Sequence, residues 1–359
     1  MMYDRRFLVT IVFSVVFSVV FSGSQADDVK PLPGYSADIA NTTISGLSSG
    51  AFMTAQLHVA FSHYFGGAAI IAGGPFYCSG SYAGNTFLEN ATNACMNPLT
   101  ASVGPNVPKL IRKAKEFAAQ GSIDPLENLV DDRVYIFTGT ADNTVKSTVV
   151  QKTLDFYKGL GLKDDNLRFV NTVDAGHAII TDNSNDVPCA ETKAPYINNC
   201  GFEQSAELLK FLYPDLLPPS EKPSGQVIAF KQGEFIPDFG TKRDYTSMNE
   251  TAYVYIPSAC ETEKCRVHIV FHGCEQGNRV IGEEYVTTTG YNQVADTNKL
   301  IVLYPQAKPS SPVPFNPKGC WDFWGYSSVN PSAPNFYNHD APQMKAIIAM
   351  LERLATSRT

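Results

Sequence analysis

Short apolar runs alternate with longer amphipathic segments along most of the chain. Residues 68–72 are apolar without interruption, as expected for a parallel strand that is buried on both faces of a sheet. In the segment 340–356, by contrast, apolar residues such as Met344, Ile347 and Leu351 recur on one face of a helix. This alternation predicts an α/β fold with a mostly parallel central sheet flanked by helices.

The same patterns give expected bounds for the individual elements. The predicted strands are 39–44, 68–72, 134–137, 167–170, 227–230, 252–256, 267–271 and 300–304. The predicted helices are 52–64, 108–120, 147–158, 206–213 and 340–356. In the last of these, Asp340 can act as the cap and Pro342 lies in the first turn. Four prolines interrupt the pattern and predict a linker-like crossing at 214–225 between two halves of one domain, 27–359.

The first 26 residues have the features of a signal peptide. Arg5 and Arg6 precede an apolar run over 7–21, and small and polar residues follow up to Ala26. Because the run is short for a membrane span, we expect cleavage near Ala26 and no stable membrane anchor afterwards. The mature protein is then secreted, to the exterior or to the periplasm of a bacterium. The net charge of −7 argues against a nucleic-acid partner, and we expect a monomer.

Eight cysteines follow the predicted leader, and an even number in a secreted chain indicates disulfides. Eight cysteines allow 105 pairings. Sequence order favours Cys78–Cys95, Cys189–Cys200, Cys260–Cys265 and Cys274–Cys320. No Cys-x-x-Cys spacing occurs, so a structural zinc site is not expected. If the host glycosylates, the chain offers three acceptor sequons, at Asn41, Asn90 and Asn249.

The pentapeptide Gly46-Leu47-Ser48-Ser49-Gly50 matches the G-x-S-x-G nucleophile elbow. A β-branched strand precedes it and an apolar helix follows, which is the context that the motif requires. The chain turns sharply there, and side chains at either glycine would clash. The turn would hold Ser48 in a strained conformation with its hydroxyl exposed. We therefore predict Ser48 as a catalytic nucleophile rather than part of a serine-rich turn.

A serine nucleophile needs a base, normally a histidine that a carboxylate orients. His177 is the best candidate, because it lies among small residues in a loop just after the strand 167–170. The other histidines are expected on helices, within a strand or at an exposed position: His58, His63, His268, His272 and His339. On a strand, His268 and His272 would lie roughly 13 Å apart, at about 3.3 Å per residue, too far to share a metal ion.

Asp142 is the predicted acid of the triad, because it lies in the loop after the strand 134–137. The resulting order of serine, aspartate and histidine is that of α/β hydrolases. Asp131 and Asp132 precede this strand and so would lie at the wrong end of the sheet. Asp174 is the remaining competitor, but it is only three residues from His177, an awkward reach for the imidazole.

The oxyanion hole should include the backbone amide of Ser49, directly after the nucleophile. A second donor usually follows a His-Gly motif after an earlier strand. No such motif precedes Ser48, but His272-Gly273 follows the strand 267–271 near the other end of the chain. All parts of an α/β hydrolase are therefore present in a rotated order, which is the signature of a circular permutation.

Five stretches together resemble the secreted poly(3-hydroxybutyrate) depolymerases whose catalytic domain is a circularly permuted α/β hydrolase. They are ISGLSSGA at 44–51, GTAD at 139–142, AGH at 175–177, FHGC at 271–274 and CWDFWGY at 320–326. The resemblance implies Ser48, Asp142 and His177 as the triad. It also implies the amides of Ser49 and Cys274 as the oxyanion hole, with Cys274–Cys320 holding the Cys-Trp stretch beside the oxyanion loop.

The resemblance further implies that aromatic side chains of the Cys-Trp stretch line a polymer cleft. Many of these depolymerases carry a separate substrate-binding domain after a linker, whereas this chain ends near the predicted catalytic helix. A single domain would have to grip an insoluble polymer with its own surface, for which Trp321, Phe323, Trp324 and Tyr326 are the candidates.

These observations predict a serine esterase for polyhydroxyalkanoates or their oligomers that needs no cofactor and no metal. Two alternatives stay open. A feruloyl or acetylxylan esterase on the same fold has related Cys-Trp and His-Gly-Cys patterns. A non-catalytic binding protein on a hydrolase scaffold is the alternative from another class, although such proteins typically lack the serine or the histidine.

Overall fold

A computed structural model describes Met1 and residues 29–236 and 243–358, so the predicted signal peptide lies outside the described residues. The strands are β1 Asp38–Leu47, β2 Phe65–Ile71, β3 Arg133–Phe137, β4 Leu167–Val170, β5 Ile179–Thr181, β6 Val187–Pro188, β7 Ile197–Asn199, β8 Gln226–Lys231, β9 Thr251–Ile256, β10 Arg266–Phe271 and β11 Leu300–Tyr304. The helices are α1 Ser49–Ala60, α2 Phe87–Glu89, α3 Val107–Ala119, α4 Ser147–Leu160, α5 Gln204–Leu212, α6 Asn278–Ile281, α7 Glu284–Thr288, α8 Tyr291–Thr297 and α9 Pro342–Ala355. No helix within these described ranges has both the length and the apolar character to cross a membrane.

Eight of these strands form one sheet in the order β4-β3-β2-β1-β10-β11-β9-β8. Neighbouring strands are parallel from β4 to β11, whereas β9 runs antiparallel to both β11 and β8. The strand that leads into His272-Gly273 is β10, and it pairs directly with β1, which leads into Ser48. The predicted fold, a single α/β-hydrolase-type domain with a mostly parallel sheet, is confirmed.

Both faces of the sheet are covered, which explains the uninterrupted apolar runs in the sequence. In β2, Ala68 and Ile70 pack in the cluster that includes residues of α1, α3, α4 and α9. Their neighbours Ala69 and Ile71 pack in a second cluster with residues of α5, α7 and α8. Burying a large aliphatic side chain in this way contributes about 1.5–3 kcal/mol. The strands therefore cannot alternate between apolar and polar residues as half-exposed strands do.

The ends of elements differ from the predictions where local contacts override the apolar pattern. β1 continues to Leu47, three residues past its predicted end, because it pairs with β2 on one side and β10 on the other. The last helix begins at Pro342 rather than at residue 340, so the prediction that Asp340 caps it is wrong. The carboxylate of Asp340 instead pairs with Lys345 at 2.9 Å.

The crossing at 214–225 forms hydrogen bonds with the rest of the domain. The backbone amide of Ser220 donates to the carbonyl oxygen of Gln293 at 2.8 Å. The amide of Ser224 donates to the Asp296 carboxylate at 2.9 Å. Since both acceptors belong to α8, this segment is a surface crossing that connects strands of one sheet.

All eight cysteines are paired, in the four pairs that sequence order favours. The three sequons differ in accessibility. Asn90 and Asn249 are 1% and 5% exposed, and the side-chain amides of both donate hydrogen bonds to neighbouring groups. Asn41 is exposed. Of the three, Asn41 alone leaves room for a glycan on the folded chain.

Candidate active site

Ser48 lies in the sharp turn between β1 and α1, as the elbow motif predicts. Its backbone has φ 58° and ψ −121°, a conformation that costs a non-glycine residue on the order of 1–3 kcal/mol. A Cβ atom at Gly46 would lie 2.4 Å from the backbone of Gly50, and one at Gly50 would lie 2.5 Å from the carbonyl oxygen of His272. The two glycines therefore permit a turn that presents Ser48 beyond the end of β1.

The loops after β3 and β4 bring Asp142 and His177 together. The two side chains are nearly fully buried, and the imidazole Nδ1 lies 2.8 Å from the Asp142 Oδ2. The Asp142 Oδ1 accepts the amides of Thr144 at 2.8 Å and Val145 at 3.1 Å, so the carboxylate cannot rotate freely. Because an ionised carboxylate can only accept a hydrogen bond, Nδ1 of His177 must carry the proton that it shares with Asp142. Nε2 of the neutral ring then carries no proton and can accept one. Ser48 and His177 line the same cavity.

The competing aspartates have other partners. The Asp174 Oδ1 accepts the Thr140 hydroxyl at 2.9 Å on the surface. Asp131 forms an ion pair with Lys163 at 2.9 Å. Asp132 lies 3.1 Å from Nε2 of His58, a histidine that is fully buried in α1. Of the four candidate aspartates, Asp142 is therefore the one that contacts His177.

Two backbone amides close to Ser48, those of Ser49 and Cys274, have no acceptor of their own among the described residues. Ser49 is the first residue of α1, and the first amides of a helix have no partner within it. The amide of Cys274 likewise has no acceptor among the residues that the structure describes. Cys274 also lines both cavities that adjoin Ser48, and its disulfide with Cys320 fixes the loop. The role of these two amides as an oxyanion hole stays a prediction.

Ser48 lies between two cavities of different chemical character. One, of about 210 Å³, has almost entirely apolar walls, which include Phe52, Ala91 and Phe323. The other, of about 170 Å³, is lined by His177 and by polar side chains such as Thr144. An ester whose carbonyl carbon approaches Ser48 would thus have an apolar compartment on one side and a more polar one on the other.

The predicted aromatic residues have three different surroundings. Trp324 lines the apolar cavity, and the Phe323 ring stacks on Phe52 at 4.1 Å between centroids. Tyr326 lines an adjoining surface groove of about 640 Å³, where its hydroxyl donates to the carbonyl oxygen of Cys320. Trp321 is 0% exposed and packs against Phe271 and His272. A fully buried ring cannot contact a polymer, so the placement of Trp321 at the substrate surface needs correction.

Two contributors to the site are absent from the sequence-based expectations. The carboxylate of Asp322 is buried and accepts the backbone amides of Trp324, Gly325 and Ser327, which fixes the turn that presents Trp324. Burial raises the pKa of this carboxyl, and these hydrogen bonds oppose the rise. Wall residues of the apolar cavity such as Ala91 come from the segment after Cys78, for which the sequence pattern predicts no helix or strand. The pair Cys78–Cys95 is the one sequence feature that indicates an ordered segment there.

Among the described residues, no group of three or more histidine, cysteine or acidic side chains is arranged to hold a metal ion. The buried histidines serve as hydrogen-bonding groups instead. His268 contacts the hydroxyls of Thr43 at 2.6 Å and Ser45 at 2.8 Å, and burial lowers its pKa to about 3.

Comparisons with known proteins identify similar enzymes, although no protein-family model matches the chain. A poly(3-hydroxybutyrate) depolymerase of Delftia acidovorans is 38% identical over 90% of this chain, which spans 62% of that relative's length. A polyhydroxybutyrate depolymerase of Talaromyces funiculosus is 31% identical over 90% of this chain and 92% of its own length. A crystal structure of the PHB depolymerase from Penicillium funiculosum matches with a TM-score of 0.78, at 30% identity, over 91% of this chain and 99% of that one. A PHB depolymerase variant in complex with an R3HB trimer matches with the same values.

Proposed function

The chain belongs to the polyhydroxybutyrate depolymerase family, and on that premise we propose that it is a serine esterase that hydrolyses poly(3-hydroxybutyrate) or its oligomers. The observation that carries the proposal is the buried Asp142–His177 pair, which shares a cavity with a serine held in a strained elbow. The R3HB trimer bound to a structural relative supports the substrate class.

In the proposed reaction, the Ser48 hydroxyl attacks the ester carbonyl carbon while Nε2 of His177 accepts its proton. The negative charge on the carbonyl oxygen is held by the amides of Ser49 and Cys274. Collapse of this intermediate breaks the ester bond, and His177 returns the proton to the departing alkoxide. Water then attacks the acyl group on Ser48 by the same route and releases the acid. Asp142 holds the imidazole in the required tautomer throughout.

The exposed apolar side chains around the cleft are evidence for a solid apolar polymer as the substrate. Six of the nine exposed large apolar side chains of the described residues lie in two segments, 88–103 and 313–329. Leu88, Val313 and Phe315 line the groove that also contains Trp324, which in turn reaches the cavity at Ser48. An apolar surface continuous with the active site is a means of adsorption to a solid polymer.

Phe315→Asp should therefore impair attack on polymer more than attack on soluble esters. Phe315 is 65% exposed, so a charge there would be hydrated in free enzyme and desolvated against the polymer. We expect adsorption to poly(3-hydroxybutyrate) granules, measured by sedimentation, to weaken about tenfold or more, while kcat/KM for a p-nitrophenyl ester changes far less. Leu217→Asp is the matched control, since Leu217 is 59% exposed and lies in the crossing at 214–225. Equal loss of adsorption in both variants would contradict the assigned surface.

Clearing of a poly(3-hydroxybutyrate) suspension, measured beside turnover of a feruloyl ester, tests the proposed substrate. We expect the turbidity of the suspension to fall and the feruloyl ester to remain. Feruloyl turnover without clearing would overturn the polyester assignment and favour a carbohydrate esterase on the same fold.

We also propose that the enzyme acts outside the cell as a monomer after removal of residues 1–26. Four disulfides support an oxidising compartment, where such bonds persist. N-terminal sequencing of protein recovered from a culture medium tests the cleavage near Ala26, and a chain that retains its first residues would contradict it.

A further inference from the structure

Gln276 lies at the wall of the cavity that holds Ser48 and His177, and it connects two loops of the site. Its side chain is 1% exposed. The Oε1 atom accepts the amide of Gly273 at 2.7 Å, in the loop that carries Cys274. The Nε2 atom donates to the carbonyl oxygens of Pro195 at 2.9 Å and Tyr196 at 3.1 Å. Every hydrogen-bonding atom of this side chain is therefore used, and all partners are backbone groups.

The loop that receives the two donated bonds also supports the catalytic histidine. It contains Thr192, whose hydroxyl oxygen accepts the backbone amide of His177 at 2.9 Å. The amide of Gly176, the residue before His177, donates to the carbonyl oxygen of Cys189 in the same loop at 2.8 Å. Gln276 thus links the backbone that places the base to the backbone that places an oxyanion donor.

Gly273 is fixed on its other side by a neutral histidine. The amide of Ala307 donates to Nε2 of His272 at 3.1 Å, so the proton resides on Nδ1, which donates to the carbonyl oxygen of Gly273 at 2.7 Å. Burial lowers the pKa of His272 to about 4, which keeps this arrangement neutral at ordinary pH. Because a trans peptide is planar, a fixed Gly273 carbonyl directs the Cys274 amide the opposite way.

We propose that Gln276 is a positioning residue that aims the Cys274 amide at the developing oxyanion and fixes its distance from His177. A Cβ atom at Gly273 would lie 2.8 Å from Gln276 Oε1 and 3.3 Å from the Cβ of Ser48, so Gly273 fills the narrow space between the two side chains. The proposal rests on the proposed ester hydrolysis but not on the identity of the ester. A soluble p-nitrophenyl ester therefore suffices to test it.

Gln276→Met removes the three hydrogen bonds and keeps a side chain of similar size. We expect kcat for p-nitrophenyl butyrate to fall about 10–100-fold with KM changed less than about threefold, because the lost interactions act on the transition state. Phenylboronic acid, which forms a tetrahedral anionic adduct on a serine, should bind more weakly by a similar factor. A loss of kcat with unchanged boronate affinity would overturn the proposal.

Asn298→Leu is the matched control. Asn298 is half-buried, and it likewise accepts one backbone amide, that of Leu217, and donates to two backbone carbonyls, those of Leu217 and Val294. None of these partners lines either cavity at Ser48. The Asn298→Leu substitution should lower the melting temperature, with kcat and boronate affinity close to those of the unaltered protein. An equal loss of kcat in both variants would show a general effect of stability and overturn the specific role of Gln276.

Gln276→Glu tests the hydrogen bond to Gly273 separately from the hydrogen bonds to Pro195 and Tyr196. It also replaces Gln276→Met in the test if that variant does not fold. The acid keeps an acceptor for Gly273, but an ionised oxygen would face the carbonyl oxygens of Pro195 and Tyr196. Protonation converts that oxygen into a donor, so the rate relative to the unaltered enzyme should rise as the pH falls from 8 to 5. A ratio independent of pH would contradict the link to Pro195 and Tyr196. Inactivity of the unaltered enzyme toward every ester would instead refute the proposed function.

Discussion

Replacing Ser48 with alanine should lower kcat for soluble and polymeric esters by about 10⁶-fold, to the level set by binding and the oxyanion amides alone. The hydroxyl is the atom that forms the acyl-enzyme, and no neighbouring group can take over its position beyond β1. The fold should persist, because the Ser48 side chain makes no capping hydrogen bond to α1 and alanine also carries a Cβ at this backbone conformation. Rates and the melting temperature of the purified variant check both parts.

Ser49→Ala is the control for this variant. It removes the neighbouring hydroxyl, which accepts the amide of Trp321 at 3.2 Å, but keeps the backbone amide predicted to bind the oxyanion. Its kcat should stay within about tenfold of the unaltered enzyme. A fluorophosphonate probe should label the unaltered chain and Ser49→Ala but not Ser48→Ala. Absence of labelling in all three would favour a non-catalytic binding protein.

The fold could be predicted from the sequence because its central strands are buried on both faces. A five-residue apolar run such as 68–72, followed by two glycines and a proline, is short for a helix and fits a buried strand. Its predicted bounds lie within a few residues of those of β2. The small sheet of β5, β6 and β7 was not predicted, since strands of two or three residues are too short to show a period. The helices in 278–297 are likewise short, and the apolar pattern does not reveal them.

The positions of Ser48, Asp142 and His177 could be predicted because each follows a recognisable parallel strand. Carboxyl ends of parallel strands meet at one edge of the sheet, so the order of elements was enough to bring the three residues together. The surroundings of Trp321 and Trp324 could not be predicted in this way. They are three residues apart in an irregular segment, and one is buried while the other lines a cavity. The turn around the buried Asp322 carboxylate decides which ring faces the cleft.

The contacts of Gln276 illustrate a further limit of sequence reasoning. Its acceptor contact is three residues away, but its two donor contacts are about 80 residues distant, to carbonyl groups in an irregular loop. Backbone groups carry no side-chain signature, so a residue that acts on them leaves no recognisable pattern. The same holds for the Cys274 amide, which was predicted from resemblance and not from its chemistry.

Asp142→Asn should lower kcat by about 10⁴-fold with little change in the fold, because the substitution reverses the hydrogen bond to His177. The Asp142 Oδ1 accepts the amides of Thr144 and Val145, so an asparagine would keep its oxygen there. Its NH₂ group would then face Nδ1 of His177, at the place where Oδ2 now lies at 2.8 Å. The imidazole would have to carry its proton on Nε2, and in that tautomer it cannot accept the proton of Ser48.

Asp174→Asn distinguishes this mechanism from a general loss of negative charge near His177. Asp174 is exposed, three residues before the histidine, and its Oδ1 accepts the Thr140 hydroxyl. Asparagine can keep that bond, so kcat should remain within about threefold of the unaltered enzyme. Steady-state rates on a soluble ester, together with the downfield proton resonance expected for an Nδ1–H bound to a carboxylate, report the two effects separately. A loss of rate and resonance in Asp174→Asn but not in Asp142→Asn would transfer the role of the acid to Asp174.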